Sequence, residues 1–245
     1  MTDPAAALAP DGPDARSAEL RAALARVEQR IVDACAAAGR DRGEVTLIVV
    51  TKTFPAADLR ALAGLGVREV GENRMQEVIA KAQQGAFEGL RLHLIGQLQT
   101  NKAAEAARFA GLVHSLDRLK LARALGRGRE SSGIGAPLPV LIQISLDGDP
   151  ARGGVPVSEL GELTHGILQE PGLDLAGVMA VPPRGSDPAA AFAELARIAD
   201  GVRQQVPGAR IISAGMSADL EAAVAAGATH LRVGSAILGS RPSLR

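Results

Sequence analysis

Short β-rich runs recur along this sequence with helical segments between them: VTLIVVTK (45–52), VREVG (67–71), RLHLIG (91–96), LVHSL (112–116), PVLIQISL (139–146), LDLAGVMAV (173–181), ARIISAG (209–215) and THLRVG (229–234). Their starts lie 20 to 36 residues apart. That is the rhythm of repeated βα units, and eight of them predict a closed (β/α)8 TIM barrel. The runs are dense in Val, Ile and Leu, as parallel strands buried on both faces must be. The chain is 47% hydrophobic yet holds four Phe, no Trp and no Tyr, so Ala, Val, Leu and Ile have to fill the core. No Pro/Gly-rich linker divides the chain after residue 40, and 126–138 reads as a loop between strands. Residues 17–245 are therefore expected to form one α/β barrel domain, with an extra N-terminal helix and, over 1–16, a disordered tail.

The extra helix is expected from Ser17, as N-cap, to Gly39, with Leu20, Leu24, Val27, Ile31 and Cys35 on one face. Cys35, the single cysteine, reads as a core residue and fits a reducing cytosol. A second helix is expected over 188–205, with Asp187 as N-cap and Pro188 at its first position. The first sixteen residues make a poor signal peptide, and no apolar run approaches the roughly 18–20 residues of a membrane span. Lys+Arg and Asp+Glu both number 27, and without aromatic platforms this balance argues against nucleic acid as a partner. The four histidines lie on different elements with no metal-ligand spacing, and read as surface or supporting residues.

In an α/β barrel the chemistry sits at the C-terminal ends of the strands. The first such end carries Lys52. Alternation places it with Ile48 and Val50 on one face of its strand, and Leu47, Val49 and Thr51 on the other. A lysine closing an apolar strand is either a snorkelling surface residue or a desolvated amine available for a Schiff base. The last two strand ends, ISAGMSADLEAA and VGSAILG, run through Gly215 and Gly234 into helices, with Ser217 as the expected N-cap of the first. Small residues at helix starts let backbone N–H groups approach an anion, and barrels commonly hold phosphate after strands 7 and 8. Arg232 shares its parity with Gly234 and should point into the barrel, where a buried salt bridge to a neighbouring strand is the plain alternative.

A Schiff-base lysine opposite a phosphate cradle is the layout expected for pyridoxal 5′-phosphate. TKT (51–53), VGENRMQE (70–77), HLIGQLQTNK (93–102), HSLDR (114–118), LIQIS (141–145), GVMAVPP (177–183), SAGMSADLEAAVAAG (213–227) and RVGSAILGSR (232–241) stand in the order of one family. On these motifs, from about residue 20 to 241, the chain resembles the pyridoxal phosphate homeostasis protein family, relatives of the fold-type III barrel of alanine racemase. The resemblance implies Lys52 as the Schiff-base lysine. It implies Ser213, Gly215, Met216, Gly234 and Ser235 around the phosphate, Arg232 facing the pyridine nitrogen, and Asn73 and Met179 lining the pocket. It further implies a cytoplasmic carrier without robust turnover, a monomer or weak homodimer, with pyridoxal phosphate-dependent apo-enzymes as possible recipients.

A guanidinium beside the pyridine nitrogen disfavours its protonation and weakens the ring as an electron sink. Racemisation also needs a second acid/base, a tyrosine in alanine racemase, and this sequence has none. A weak pyridoxal phosphate-dependent racemase or transaminase-like activity, and a Schiff-base aldolase on the same barrel, are the competing readings. Many relatives have tyrosine and phenylalanine where Arg74 and Val70 stand, and Ser145, Asp149 and Arg152 also depart from the family pattern. Spacing assigns no chemical role to Asn101 or Lys102, and Glu72 and Glu77 read as helix-start carboxylates.

Overall fold

The structure, a computed structural model, describes residues 13–240. Eight parallel strands close into a barrel in sequence order: β1 (Thr46–Val50), β2 (Glu69–Glu72), β3 (Arg91–Leu94), β4 (Leu112–Leu116), β5 (Leu138–Gln143), β6 (Leu173–Met179), β7 (Ile211–Ser213) and β8 (His230–Val233). Each overlaps one of the eight β-rich runs. β4 coincides with its run, and the others are shorter than theirs, chiefly where ladder pairing stops as the chain turns into a loop. Closure comes from β1 pairing with β8, Ile48 opposite Arg232 and Val49 opposite Val233, which leaves the sheet no open edge.

Around the barrel stand α1 (Pro13–Ala37), α2 (Ala56–Gly64), α3 (Met75–Ala82), α4 (Ala103–Phe109), α5 (Leu119–Glu130), α6 (Leu160–Leu168), α7 (Pro188–Gln205), α8 (Leu220–Ala225) and the short α9 (Ser235–Leu238). The α7 boundaries match expectation: Asp187 accepts from the Ala189 N–H at 3.0 Å, and Pro188 opens the helix where a missing N–H costs nothing. Phe192, Leu195, Ile198 and Val202 form its buried face. By contrast α5 runs on to Glu130, so the first residues of the expected 126–138 loop are helical. The glycines of GRGRE permit this: a Cβ on Gly128 would lie 2.8 Å from the Ala104 Cα, so α5 can approach α4 only without one.

The N-terminal helix also starts earlier than expected. It includes Pro13–Arg16, which places Ser17 inside the helix instead of at its cap. Arg16 supplies the reason: it pairs with Asp58 at 2.8 Å and donates to the Leu238 carbonyl at 3.1 Å, tying the added turn to α2 and α9. The remainder of the expected tail, residues 1–12, lies outside the described residues. Leu20, Val27, Ile31 and Cys35 are buried as the periodicity requires, and Arg30 bonds Glu221 of α8 at 2.8 Å.

Two apolar layers result. The larger lies between the outward faces of the strands and the helices, and includes Val49, Leu92, Val113, Val178, Ile212 and Leu231. Inside the barrel a small apolar cluster is built on Leu112, Leu141 and Met179. The rest of the interior is unusually polar, holding His93, His114, Ser213 and Arg232, each nearly or fully buried.

Candidate functional site

The strand alternation decides which groups meet at the mouth. A Cβ on Gly71 would touch Ile48, Val50 and Ile95 side chains at 3.2–3.5 Å, so the Ile48/Val50 face looks into the barrel. Lys52, two residues beyond Val50, continues that face at the C-terminal end. There a cavity of about 340 Å³ is lined by Val50, Lys52, Phe54, Ile95, Met216, Ser217, Ala218, Arg232, Gly234, Ser235, Gly239 and Ser240. The volume lies in the range of small-molecule sites.

Five of the nine expected site residues therefore share one cavity: Lys52, Met216, Arg232, Gly234 and Ser235. The other four sit around it. The Ser213 hydroxyl lies beneath, where it accepts from Arg232 Nη1 at 2.5 Å and meets His114 Nδ1 at 2.9 Å. Met179 is buried in the apolar cluster of the interior, one strand over from Ser213. Gly215 shapes the turn: its φ is +88°, and a Cβ would fall 2.6 Å from the Ala223 Cβ and 2.9 Å from Leu231. Asn73 follows β2 on the inward face but lines a neighbouring cavity of about 450 Å³, together with Arg74, Gln97 and Lys102.

Ser217, which the sequence suggested as a helix cap, belongs to the cavity instead. Its hydroxyl lies 3.2 Å from Ser235 Oγ and accepts from the Ala236 N–H at 3.3 Å, joining the two small-residue loops. The cap of α8 is Asp219, and its carboxylate folds back to accept from the Met216 N–H at 2.6 Å. Ile95 was legible from alternation with His93 on β3, whereas Phe54, Gly239 and Ser240 enter through loop paths that no periodicity encodes.

Arg232 does not make the salt bridge that was the plain alternative for it. Among the described residues it forms no ion pair; besides Ser213 it donates through Nη2 to the Ala180 carbonyl at 2.9 Å. Burial pushes its pKa down to about 10, opposed only by Asp219. It remains cationic at neutral pH and presents a buried charge at the cavity floor.

Lys52 is held from the opposite side of its strand. Thr51 donates its N–H to Gly71 O at 3.0 Å and its hydroxyl to Glu72 Oε1 at 2.6 Å, and its carbonyl accepts from Lys81 Nζ at 2.9 Å. Lys81 also pairs with Glu72 at 2.6 Å, with 8% and 0% of the two side chains exposed. Glu72 is thus a buried strand-end carboxylate, not the helix-start residue expected. Burial raises its pKa, against the lowering effect of Lys81 and Thr51. On the other flank of Lys52, the Thr53 N–H donates to Glu77 Oε2 at 2.7 Å. Thr53 has a φ of +69°, a left-handed conformation that a β-branched residue adopts only under constraint. The peptide units either side of Lys52 are fixed by three residues of the VGENRMQE segment and its helix.

His93 and His114 are supporting residues, as expected, but their separate strands bury them together instead of holding them apart. His93 and His114 meet inside the barrel, Nδ1 to Nε2, at 2.8 Å, and His230 lies near His93 with ring centroids 6.3 Å apart. His165 stands apart on α6. Sequence spacing concealed the convergence because barrel closure brings it about.

With this geometry established, known proteins give the comparison. The family described as alanine racemase, N-terminal domain, matches residues 23–242. A pyridoxal phosphate homeostasis protein of Mycobacterium bovis is 42% identical over 92% of this chain and 94% of its own. The chain belongs to this family. The Escherichia coli K12 relative of the same name is 37% identical over 89% of this chain and 95% of its own. Among solved structures, PipY of Synechococcus elongatus PCC7942 with pyridoxal phosphate bound aligns with a TM-score of 0.72, at 34% identity over 85% of this chain and all of PipY. Alanine racemase from Corynebacterium glutamicum aligns with a TM-score of 0.67 at 16% identity, covering 95% of this chain and 63% of the racemase, a likeness of fold alone. No helix among the described residues is long and apolar enough to cross a membrane.

Proposed function

We propose that this protein binds pyridoxal 5′-phosphate in the Lys52 cavity and serves cytoplasmic pyridoxal phosphate homeostasis, holding the cofactor reversibly and without robust turnover. The observation that carries this reading is that Lys52 and the small-residue loops after β7 and β8 line one cavity, with the Arg232 cation at its floor. The donor set matches the three parts of the cofactor. Bound there, pyridoxal phosphate supplies an aldehyde for reversible condensation with an amine. Lys52 would be the amine for that condensation, which releases water. Gly234, Ser235, Ser217 and Met216 offer hydroxyls and close backbone for the phosphate, and Arg232 faces the ring nitrogen. Asn73, Gly215, Ser213 and Met179 support these groups from the surrounding positions described above. The bound cofactor of PipY and the names of the curated relatives favour the same reading.

Turnover is disfavoured by two properties of the chain. The buried Arg232 guanidinium would face the ring nitrogen and disfavour its protonation, and no phenol is available as a second acid/base, because the sequence has no Tyr. Pyridoxal phosphate-dependent apo-enzymes are the proposed recipients. With neither Trp nor Tyr in the chain, the protein contributes little near-ultraviolet absorbance, so the test is direct. Protein incubated with pyridoxal phosphate should turn yellow, and borohydride should fix one equivalent on the peptide containing Lys52. A wild-type protein that stays colourless, or a label that persists in Lys52→Ala, overturns the reading. Deuterium exchange at Cα of amino acids well above that of free cofactor would favour the enzyme reading instead.

A further inference from the structure

A line of polar side chains crosses the barrel interior and meets the cavity only at its Arg232 end. It runs from Glu69 at the start of β2, through His93 on β3, His114 on β4 and Ser213 on β7, to Arg232 on β8. Glu69 contacts His93 Nε2; His93 Nδ1 lies 2.8 Å from His114 Nε2; His114 Nδ1 lies 2.9 Å from Ser213 Oγ; and Arg232 Nη1 donates to Ser213 Oγ at 2.5 Å. Glu69 stands at the N-terminal end of the strands, the end away from Lys52.

Chemistry fixes the direction of every bond in this line. A guanidinium only donates and a carboxylate only accepts. Burial keeps His93 neutral despite Glu69, and burial with the neighbouring charges holds His114 still further from protonation. Burial alone would raise the Glu69 carboxyl, but the bond to His93 and the nearby Arg91 and His230 outweigh it, leaving Glu69 ionised. The single proton of His93 must then face Glu69, so His93 Nδ1 accepts from His114 Nε2. His114 Nδ1 in turn accepts from the Ser213 hydroxyl, whose oxygen accepts from Arg232. Both histidines are Nε2–H tautomers, and the chain of donors points from the cation to the carboxylate without a break. Polarised chains of this kind strengthen their members, and here one supplies Arg232 with the counter-charge that no adjacent residue provides among those described.

We propose that Glu69 acts as a positioning residue for Arg232 through His93, His114 and Ser213, so that a carboxylate at the far end of the barrel tunes the charge presented to the bound cofactor. The effect on the cofactor rests on the pyridoxal phosphate reading; the polarity of the line does not. Two measurements therefore test it. In the cofactor-free chain near pH 7.5, imidazole ¹⁵N shifts should show His93 and His114 as Nε2–H tautomers, and an Nδ1–H tautomer at either position overturns the proposal whether or not the cofactor binds. In the loaded protein, absorbance is titrated against pH for wild type, Glu69→Gln, Ser213→Ala and the double variant. Glu69→Gln keeps an acceptor for His93 but removes the charge, so the protonated form of the Lys52 adduct should lose support and its apparent pKa should fall by about half a unit. That shift should vanish in the Ser213→Ala background, where the line is cut. Superimposable titrations of wild type and Glu69→Gln overturn the proposal, as does a shift that survives the cut, which would mark a through-space field. A wild type that binds no cofactor overturns the functional reading and leaves the tautomers to decide the line.

Discussion

Two buried cations lie within a few residues of the cavity, and they are satisfied in opposite ways. Lys81, behind β1 and β2, meets Glu72 at 2.6 Å and the Thr51 carbonyl at 2.9 Å. Arg232, inside the barrel, meets a serine hydroxyl and the Ala180 carbonyl, both neutral. A cation beside a carboxylate has its field largely cancelled and does structural work: it holds the Thr51 peptide and, through it, the direction of Lys52. A cation without an adjacent anion keeps its field, which is useful only if something in the cavity responds to it. The contrast separates the frame of the site from its working surface, although both are equally hidden from water.

The largest effect expected from breaking this contrast is at the frame. Lys81→Met should destabilise the protein by about 3–5 kcal/mol, because it strands the buried Glu72 carboxylate. Chemical denaturation would measure this, and a loss below about 1 kcal/mol would show that the pair is not holding Thr51. Arg232→Met should shift the weight from stability to binding. Its stability cost should be smaller, about 1–3 kcal/mol, because the buried Ser213 hydroxyl and Ala180 carbonyl lose their donor but no adjacent carboxylate is stranded, while pyridoxal phosphate affinity falls by at least about tenfold, the value of one charged hydrogen bond. Equal affinity in the variant would remove Arg232 from the working surface.

The polar interior also predicts a pH dependence. Burial lowers the pKa of His93, His114 and His230, the last to about 4. These groups fold neutral, whereas the unfolded chain takes up protons below about pH 6.5. Their contribution is complete above that pH and is lost as pH falls towards 4, with His230 alone worth about 2 kcal/mol by pH 5. Urea midpoints at pH 7.5 and 5.0 check this, and equal midpoints would contradict a neutral interior. The smallest effect is at Thr53. Thr53→Gly relieves a strained left-handed residue, worth about 1–3 kcal/mol, against the chain entropy glycine adds, about 0.5–1 kcal/mol. A net gain of about 1 kcal/mol is expected, with slower borohydride-trappable condensation at Lys52 because its flank is looser.

Much of this molecule was legible in the linear sequence. The eight strands follow from Val/Ile/Leu runs at regular spacing, α7 from Asp187-Pro188, and Lys52 from strand alternation at a barrel mouth. Gly234 and Ser235 were readable as a small-residue loop before a helix. Other features were not. Pro13–Arg16 looked like tail because their stabilising partners, Asp58 and Leu238, lie far along the chain. Ser217 looked like a cap because its bond to Ser235 crosses between two loops. Glu72 looked like a helix-start carboxylate because Lys81 reaches it only once α3 packs behind β2.

The histidines mark the boundary most clearly. Periodicity is local, and it fixed which residues face inward on each strand: His93 with Arg91 and Ile95, Arg232 with His230 and Gly234. Closure of the barrel is not local. It brought β2, β3, β4, β7 and β8 to face one another, and so turned Glu69, His93, His114, Ser213 and Arg232 into one bonded line. The sequence alone determined a (β/α)8 barrel with a lysine at its mouth and no phenol anywhere in the chain. The tertiary structure decided which polar groups are neighbours, because hydrogen bonds act over about 3 Å and the residues that make them are up to 222 positions apart.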